Sequence, residues 1–192
     1  MHDPLAQFAQ WLDDARTHGA IAEPTAMTLA TATAEGIPSA RIVLLKAFDA
    51  QGFVFYTNLQ SRKGSELASN AHAALVFYWM PLERQVRIEG TVVPVNDAEA
   101  DAYFHSRAHL KQVGAWASLQ SQPLASRTVL EARLAEYAKK YPADQVPRPP
   151  HWSGLRVIPN RIEFWSQGDG RLHVRDGYSR TPSGWSHQLL YP

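Results

Sequence analysis

Leu5, Phe8, Trp11 and Leu12 recur at helical spacing and predict an amphipathic helix over residues 4–18 that ends near Gly19. The period then changes. Residues 27–33 are β-prone, Ala34-Glu-Gly36-Ile-Pro38 turns the chain into a strand over 39–47, and Phe48-Asp-Ala-Gln-Gly52 turns it again into a strand over 53–58. Ser61 is placed to cap a helix over 62–70, which Asn70-Ala-His72 stops. Strands follow at 74–79 and 84–95, the second supported by Val86, Ile88 and Val92. Asn96-Asp97 opens a helix through Ser106, with Glu99 at capping-box distance from Asn96.

Residues 109–119 read as a short helix and 125–141 as a longer one, on which Leu130, Leu134, Tyr137 and Tyr141 share a packing face. Pro142 to Pro150 is a proline-rich connector, and Pro147-Arg-Pro-Pro150 is unable to hold regular structure. Short strands are predicted at 154–158, 161–166, 171–175 and 185–190. Six or more strands with turn-length links, and helices bunched between them, predict an α+β chain built on an antiparallel barrel or sandwich. No repeat or low-complexity linker divides the 192 residues, so one domain over 1–192 is expected, with a helical segment at 1–26 and the barrel at 27–192.

Composition narrows the chemistry. A net charge of +1 gives no global field for nucleic acid or a membrane surface, so any anion site must be local. The absence of cysteine excludes disulfides, thiolate metal sites and a cysteine nucleophile, and it fits a reducing compartment. The opening Met1-His-Asp-Pro-Leu5 lacks the cationic and apolar regions of a signal peptide, and the apolar-rich run 73–80 falls far short of the roughly 20 residues that span a bilayer. A cytoplasmic location is expected.

The most telling segment is Arg41-Ile-Val-Leu-Leu-Lys46, then Phe53-Val-Phe-Tyr-Thr-Asn58, then Ser61-Arg-Lys-Gly64. Four cations stand at element ends, and Arg62 and Lys63 open a helix whose free N–H groups and dipole favour an anion. A phosphate-bearing ligand on a β-rich domain is one reading; a hairpin with solvated cations suits the segment equally well. Arg41 and Lys46 differ by five and face opposite ways in a regular strand, so either the strand bends or a second subunit closes over the ligand. Tyr103-Phe-His-Ser-Arg107 and Lys111 form a second cationic cluster, and Arg171-Leu-His173-Val-Arg175 alternates, which predicts three cationic side chains on one strand face. Trp165, Trp116, Tyr56 and Tyr78 could wall a planar ring, or serve as core. P-loop, G-x-G-x-x-G and G-x-S-x-G signatures are absent, and Gly168-Asp-Gly170 reads as a turn. His105 and His109 lie four apart but lack an intervening Glu or a third ligand, so no metal site is expected.

From about Met27 to Pro192 the chain resembles the pyridoxine (pyridoxamine) 5′-phosphate oxidase family. The matching blocks are Arg41 to Lys46, Phe55-Tyr-Thr-Asn58, Ser61-Arg-Lys63, Glu83-Arg-Gln-Val86, Tyr103 to Arg107, Gly114-Ala-Trp116, Gln120-Ser121, Ile162-Glu-Phe-Trp165 and Arg171-Leu-His173. The resemblance implies an FMN-binding split barrel (an antiparallel Greek-key β-barrel with flanking helices), and a homodimer with FMN in the subunit interface. It implies FMN-dependent oxidation of pyridoxine and pyridoxamine 5′-phosphates to pyridoxal 5′-phosphate, with dioxygen as acceptor and hydrogen peroxide as by-product. Neither nucleic acid nor membrane is an expected partner.

Carried over by position, the FMN contacts are Arg41, Ile42, Val43, Leu44, Leu45, Lys46, Tyr56, Thr57, Arg62, Lys63, Gln85, Gln120, Ser121, Trp165 and Arg175. The substrate contacts are Lys46, Tyr103, Arg107, Lys111, Arg171 and His173, of which Arg171 and His173 are the expected catalytic pair. Arg62 and Lys63 suit the flavin phosphate, while Tyr103, Arg107 and Lys111 suit the substrate phosphate. Three departures stand out: Lys111 where the family usually has serine, Val174 where an acid is common, and no Arg-x-x-Tyr lid near the N-terminus. They leave two alternatives: a split-barrel flavoenzyme acting on another reduced ring of the phenazine type, or a protein that binds FMN or pyridoxal phosphate without turnover.

Overall fold

A computed structural model describes residues 3–143 and 145–192; Met1 and His2 of the opening segment and Asp144 of the proline-rich connector lie outside the described residues. Helix α1 (Pro4–Thr17) begins where the Asp3 carboxylate accepts from the Leu5 amide, and Pro4 at its start has no N–H to leave unpaired. Its apolar stripe buries Phe8, Leu12 and Ala15 completely. Phe8 meets Phe48, Phe53 and Phe77 edge-on, with ring centroids 4.9, 4.9 and 5.1 Å away. This helix therefore fills the hollow of the sheet rather than decorating its outside.

Nine strands make that sheet: β1 (Ala26–Ala32), β2 (Pro38–Leu44), β3 (Ala47–Asp49), β4 (Gly52–Asn58), β5 (His72–Trp79), β6 (Arg84–Pro94), β7 (Trp152–Ser166), β8 (Val174–Thr181) and β9 (Gly184–Leu189). All pairings are antiparallel, in the order β2-β1-β5-β6-β7-β4-β3, with β8 added to β7 and β9 to β8. The curled sheet with its flanking helices is a split barrel.

Strand β7 is the spine. Its first half pairs with β4, its second half with β8, and β6 runs along its other edge. Two separate strands were expected here, at 154–158 and 161–166. The structure joins them because Asn160 is absorbed as a bulge opposite Glu89 and Gly90, which leaves Pro159 without a ladder donor to lose. Gly90 is required at that point, since a Cβ would stand 2.1 Å from the Ile158 carbonyl oxygen.

Two other expectations need correction. The strand predicted over 39–47 breaks at Leu45–Lys46 into β2 and β3. The strand predicted over 171–175 starts only at Val174, because the turn at Gly168 continues as a single 3-10 turn (Asp169–Arg171) with Arg171 in the left-handed region, φ 65°. The triplet Arg171, His173 and Arg175 therefore does not share one regular strand face.

Four more helices follow: α2 (Arg62–Ser69), which packs on β1, α3 (Asp97–His105), which packs on β7, and the mutually packed α4 (His109–Ala117) and α5 (Arg127–Lys140). Asn96 caps α3 by accepting from the Glu99 amide at 2.8 Å. The reciprocal half of the expected capping box is replaced, because the Glu99 carboxylate pairs with Arg156 at 3.2 Å. A second apolar cluster of Phe104, Val113, Val146 and Trp152 holds α3 and α4 in place, with Leu134, Tyr137 and Tyr141 packed against it. His109 bonds the Tyr141 carbonyl at 2.8 Å and His151 the Ala115 carbonyl at 3.1 Å, while the Trp116 indole donates to the Pro147 carbonyl at 2.8 Å. His109 and Trp116 are thus packing residues that fix α4 beneath the connector. Among the described residues, no helix is long and apolar enough to cross a membrane.

Candidate active site

A cavity of about 870 Å³ opens between β2, β4, the first turn of α2, the end of α3 and α4. Among the described residues six cationic side chains line it, Arg41, Lys46, Arg62, Lys63, Arg107 and Lys111, and no carboxylate does. In a chain whose net charge is only +1, that concentration is a strong local excess of positive charge. The break between β2 and β3 is what lets Arg41 and Lys46 reach one cavity despite their odd spacing.

At the α2 end, Ser61 caps the helix and also receives the Lys63 ammonium at 3.1 Å. Lys63 donates further to the Thr57 hydroxyl at 3.2 Å and to Gln120 Oε1 at 3.3 Å. Burial, and then the charge of Arg41, push its pKa below the ordinary lysine value, with Glu66 offsetting part of the shift. Glu66 itself is buried. Burial acts to raise its carboxyl, but hydrogen bonds from Ser39, Thr31 and Arg62 and the charge of Arg41 outweigh that and hold it at about 2.

At the α3–α4 end three rings stack: Tyr56 on Tyr103 at 3.9 Å, Tyr56 on Trp152 at 5.3 Å, and Tyr103 on Trp152 at 6.2 Å between centroids. Gly154, paired with Tyr56 across β4 and β7, makes room for the stack, since a Cβ there would lie 2.7 Å from the Tyr56 ring. Arg107 lies over Trp152 at 4.7 Å, and its Nη1 is buried without a hydrogen-bond partner. Burial pushes Arg107 below its ordinary value, partly offset by Tyr103. Burial also raises Tyr103, and it pushes Tyr56 up to about 12 together with Glu99 and Tyr103, so both phenols stay protonated donors at neutral pH.

The cavity brings together fourteen of the residues singled out from sequence: Arg41, Ile42, Val43, Leu44, Lys46, Tyr56, Thr57, Arg62, Lys63, Tyr103, Arg107, Lys111, Gln120 and Ser121. Leu45 does not line it, because its side chain belongs to the core. Gln85, Trp165, Arg171, His173 and Arg175 stand apart. Gln85, Trp165 and Arg175 are directly opposed across β6, β7 and β8, which puts them on one sheet face. Trp165 packs on His173 at 4.7 Å, and Arg175 is tied to buried Glu163 at 2.9 Å. The Gly168 amide donates to His173 Nδ1 at 3.3 Å, so the neutral ring carries its proton on Nε2. Around this group Tyr78, Leu172, Val174, Leu189 and Tyr191 are exposed apolar side chains; Leu172 is 74% and Leu189 72% exposed. Trp152, Glu66, Ser39 and Ala115 also shape the cavity or its wall, and sequence reasoning missed them. The Arg62–Glu66 spacing of four was the one available signal.

A family profile described as "Pyridoxamine 5'-phosphate oxidase" matches residues 14–165, and a second, "Pyridoxine 5'-phosphate oxidase C-terminal dimerisation region", matches residues 152–192. The chain belongs to the pyridoxamine 5′-phosphate oxidase family. It is 60% identical over 190 residues to a pyridoxine/pyridoxamine 5′-phosphate oxidase of Myxococcus xanthus (strain DK1622), covering 99% of this chain and 92% of the relative. It is 57% identical to one from Rhodospirillum rubrum, covering 99% and 96%. Among solved structures, PhzG of Burkholderia lata 383 in complex with tetrahydrophenazine-1-carboxylic acid aligns with a TM-score of 0.90 at 35% identity, over 99% of this chain and 93% of that one. An FMN-binding protein of Nostoc punctiforme PCC 73102, related to pyridoxamine 5′-phosphate oxidase, aligns with a TM-score of 0.77 at 18% identity, over 97% and 96%, and shares the split-barrel fold. The second group of residues, all of it except Gln85, falls in the part of the family named for dimerisation.

Proposed function

We propose that the protein is an FMN-dependent oxidase that converts pyridoxine 5′-phosphate and pyridoxamine 5′-phosphate to pyridoxal 5′-phosphate at the expense of dioxygen. The observation that carries this reading is the cavity with six cations, no lining carboxylate among the described residues and an unpartnered buried Arg107 Nη1. The donor set fits FMN at one end, where Arg62, Lys63 and the first turn of α2 supply charge and N–H groups for a phosphate. It fits a second phosphate at the other end, through Tyr103, Arg107 and Lys111. The relatives at 57–60% identity carry the same activity in their names.

FMN held by these residues would supply a two-electron acceptor for oxidation at the substrate 4′ carbon, with dioxygen as the final acceptor. The chain's own residues bind, orient and stabilise. Arg107 and Lys111 neutralise the substrate phosphate, with the protonated Tyr103 hydroxyl as a further donor. Arg171 and His173 act on the substrate ring, His173 through its Nε2–H, and they come from the partner subunit of a homodimer. That assignment rests on the separation of the Trp165–His173–Arg175 group from the cavity and on the match of residues 152–192 to a dimerisation region. Val174, at the position where an acid is common in the family, is half-exposed and leaves Glu163 as the partner of Arg175. The cytoplasm is the compartment we assign, on the cysteine-free composition.

One observation favours a second reading: the PhzG structure, with its tetrahydrophenazine-1-carboxylic acid, shares the fold at a TM-score of 0.90. Arg107 and Lys111, both in the cavity lining, argue for a phosphate instead. Purified protein with FMN is offered pyridoxine 5′-phosphate, pyridoxamine 5′-phosphate and a reduced phenazine carboxylate in separate reactions, and peroxide is measured. Turnover of the phosphates supports the first reading. Turnover of the phenazine alone replaces it with the second, and bound flavin with no peroxide from any of them leaves a binding protein.

A further inference from the structure

We infer that Glu66, which no part of the reading above uses as a ligand, is the positioning residue that aims the flavin-phosphate cations; this rests on the FMN assignment. It sits on the second turn of α2, four residues after Arg62, with only 5% of its side chain exposed. Oε1 accepts from Arg62 Nε at 2.9 Å. Oε2 accepts from the Thr31 and Ser39 hydroxyls, the latter at 2.6 Å, and from Arg41 Nη2 at 3.4 Å. Both hydroxyls in turn receive hydrogen bonds from the Arg41 guanidinium. One carboxylate thus fixes two guanidiniums of the cavity, Arg62 directly and Arg41 both directly and through two hydroxyl bridges.

The geometry separates this role from plain charge balance. Binding Arg62 through Nε leaves both of its terminal nitrogens for an anion, and pins a side chain that is 62% exposed and would otherwise sample many rotamers. A negative charge with no orienting role beside a phosphate site weakens anion binding. A charge that preorganises two guanidiniums strengthens it. The two accounts therefore predict opposite signs when the charge is removed.

The test is Glu66→Gln in the full-length protein, stripped of flavin and titrated with FMN and with riboflavin, which lacks the phosphate. Glutamine keeps a single acceptor oxygen, so it can accept from the Arg62 Nε–H or from the Thr31, Ser39 and Arg41 side, but not from both, and the charge that assists each contact is gone. We expect FMN to bind about tenfold more weakly, riboflavin binding to stay within about twofold, and the FMN effect to shrink, but not vanish, in an Arg62→Ala background, where Glu66 still orients Arg41. Unchanged or tighter FMN binding, or equal weakening of both flavins, overturns the inference. Should Glu66→Gln fail to fold, Thr31→Val removes one bridging hydroxyl from outside the cavity lining. It carries the same expectation at about threefold, and the same refutation. Wild-type protein that binds neither flavin contradicts the FMN assignment itself, a distinct result from an indifferent variant.

Discussion

Replacing Arg107 with methionine should make the free protein more stable and its substrate binding worse. Arg107 Nη1 is buried with no partner, and an unsatisfied buried donor costs about 1–3 kcal/mol, toward the upper end on a charged group. Against this stands the stacking of the guanidinium over Trp152 at 4.7 Å, worth about 0.5–2 kcal/mol. Methionine keeps an apolar stem and a polarisable contact with the ring. The balance favours Arg107→Met by about 1 kcal/mol in the absence of ligand, equivalent to a rise of roughly 2–4 °C in Tm for a chain of this size. Substrate recognition moves the other way. A lost charge-assisted contact to phosphate costs about 1.5–3 kcal/mol, a roughly ten- to hundredfold rise in KM for pyridoxine 5′-phosphate. Thermal unfolding without ligand and steady-state peroxide release read the two effects separately. Loss of more than about 1 kcal/mol of stability together with an unchanged KM refutes the reasoning, because Arg107 would then be a structural cation.

Three further expectations follow from the same geometry. Anion binding restores the charge that burial works against on Lys63, so FMN affinity should fall as pH rises through the lowered Lys63 pKa; Lys63→Arg should move that fall to higher pH, and an identical profile for the two proteins rejects the role. Lys111→Ser should raise KM for pyridoxine 5′-phosphate about three- to tenfold and flatten its dependence on salt, because Lys111 is an exposed cation in the cavity wall; kinetics at two ionic strengths that match wild type count against it. Phe8→Ala, which empties the contact of α1 with Phe48, Phe53 and Phe77, should cost about 3–5 kcal/mol in urea unfolding, and a loss below about 1 kcal/mol would mean the helix is not part of the core.

Much of this arrangement was legible along the chain, and the parts that were not have physical reasons. Helix starts at Ser61 and Asn96 use local capping chemistry, which depends on a few neighbouring residues. The alternation at 171–175 misled, because the turn at Gly168 runs one residue further and a left-handed Arg171 interrupts the period. Pro159-Asn160 looked like a boundary, yet a bulge lets one strand run through it, and only the partner strand's Gly90 makes that possible. Trp152 was invisible as a site residue, since its stacking on Tyr56 and Tyr103 depends on a β4–β7 pairing about a hundred residues apart in sequence. The family resemblance supplied the two groups of residues. The structure added that one copy of the chain brings only the first of them into the cavity.

That division between two copies is the claim on which the mechanism turns, and subunit complementation tests it. Arg107→Ala removes a cavity cation and Arg171→Ala removes a residue of the C-terminal group, so each homodimer should be nearly inactive. Co-expression of the two variants yields mixed dimers in which one site carries both lesions and the other carries neither. With half of all dimers mixed, about a quarter of wild-type peroxide-forming activity should return. No recovery above the two parents, in dimers shown to contain both chains, contradicts a site built from two subunits.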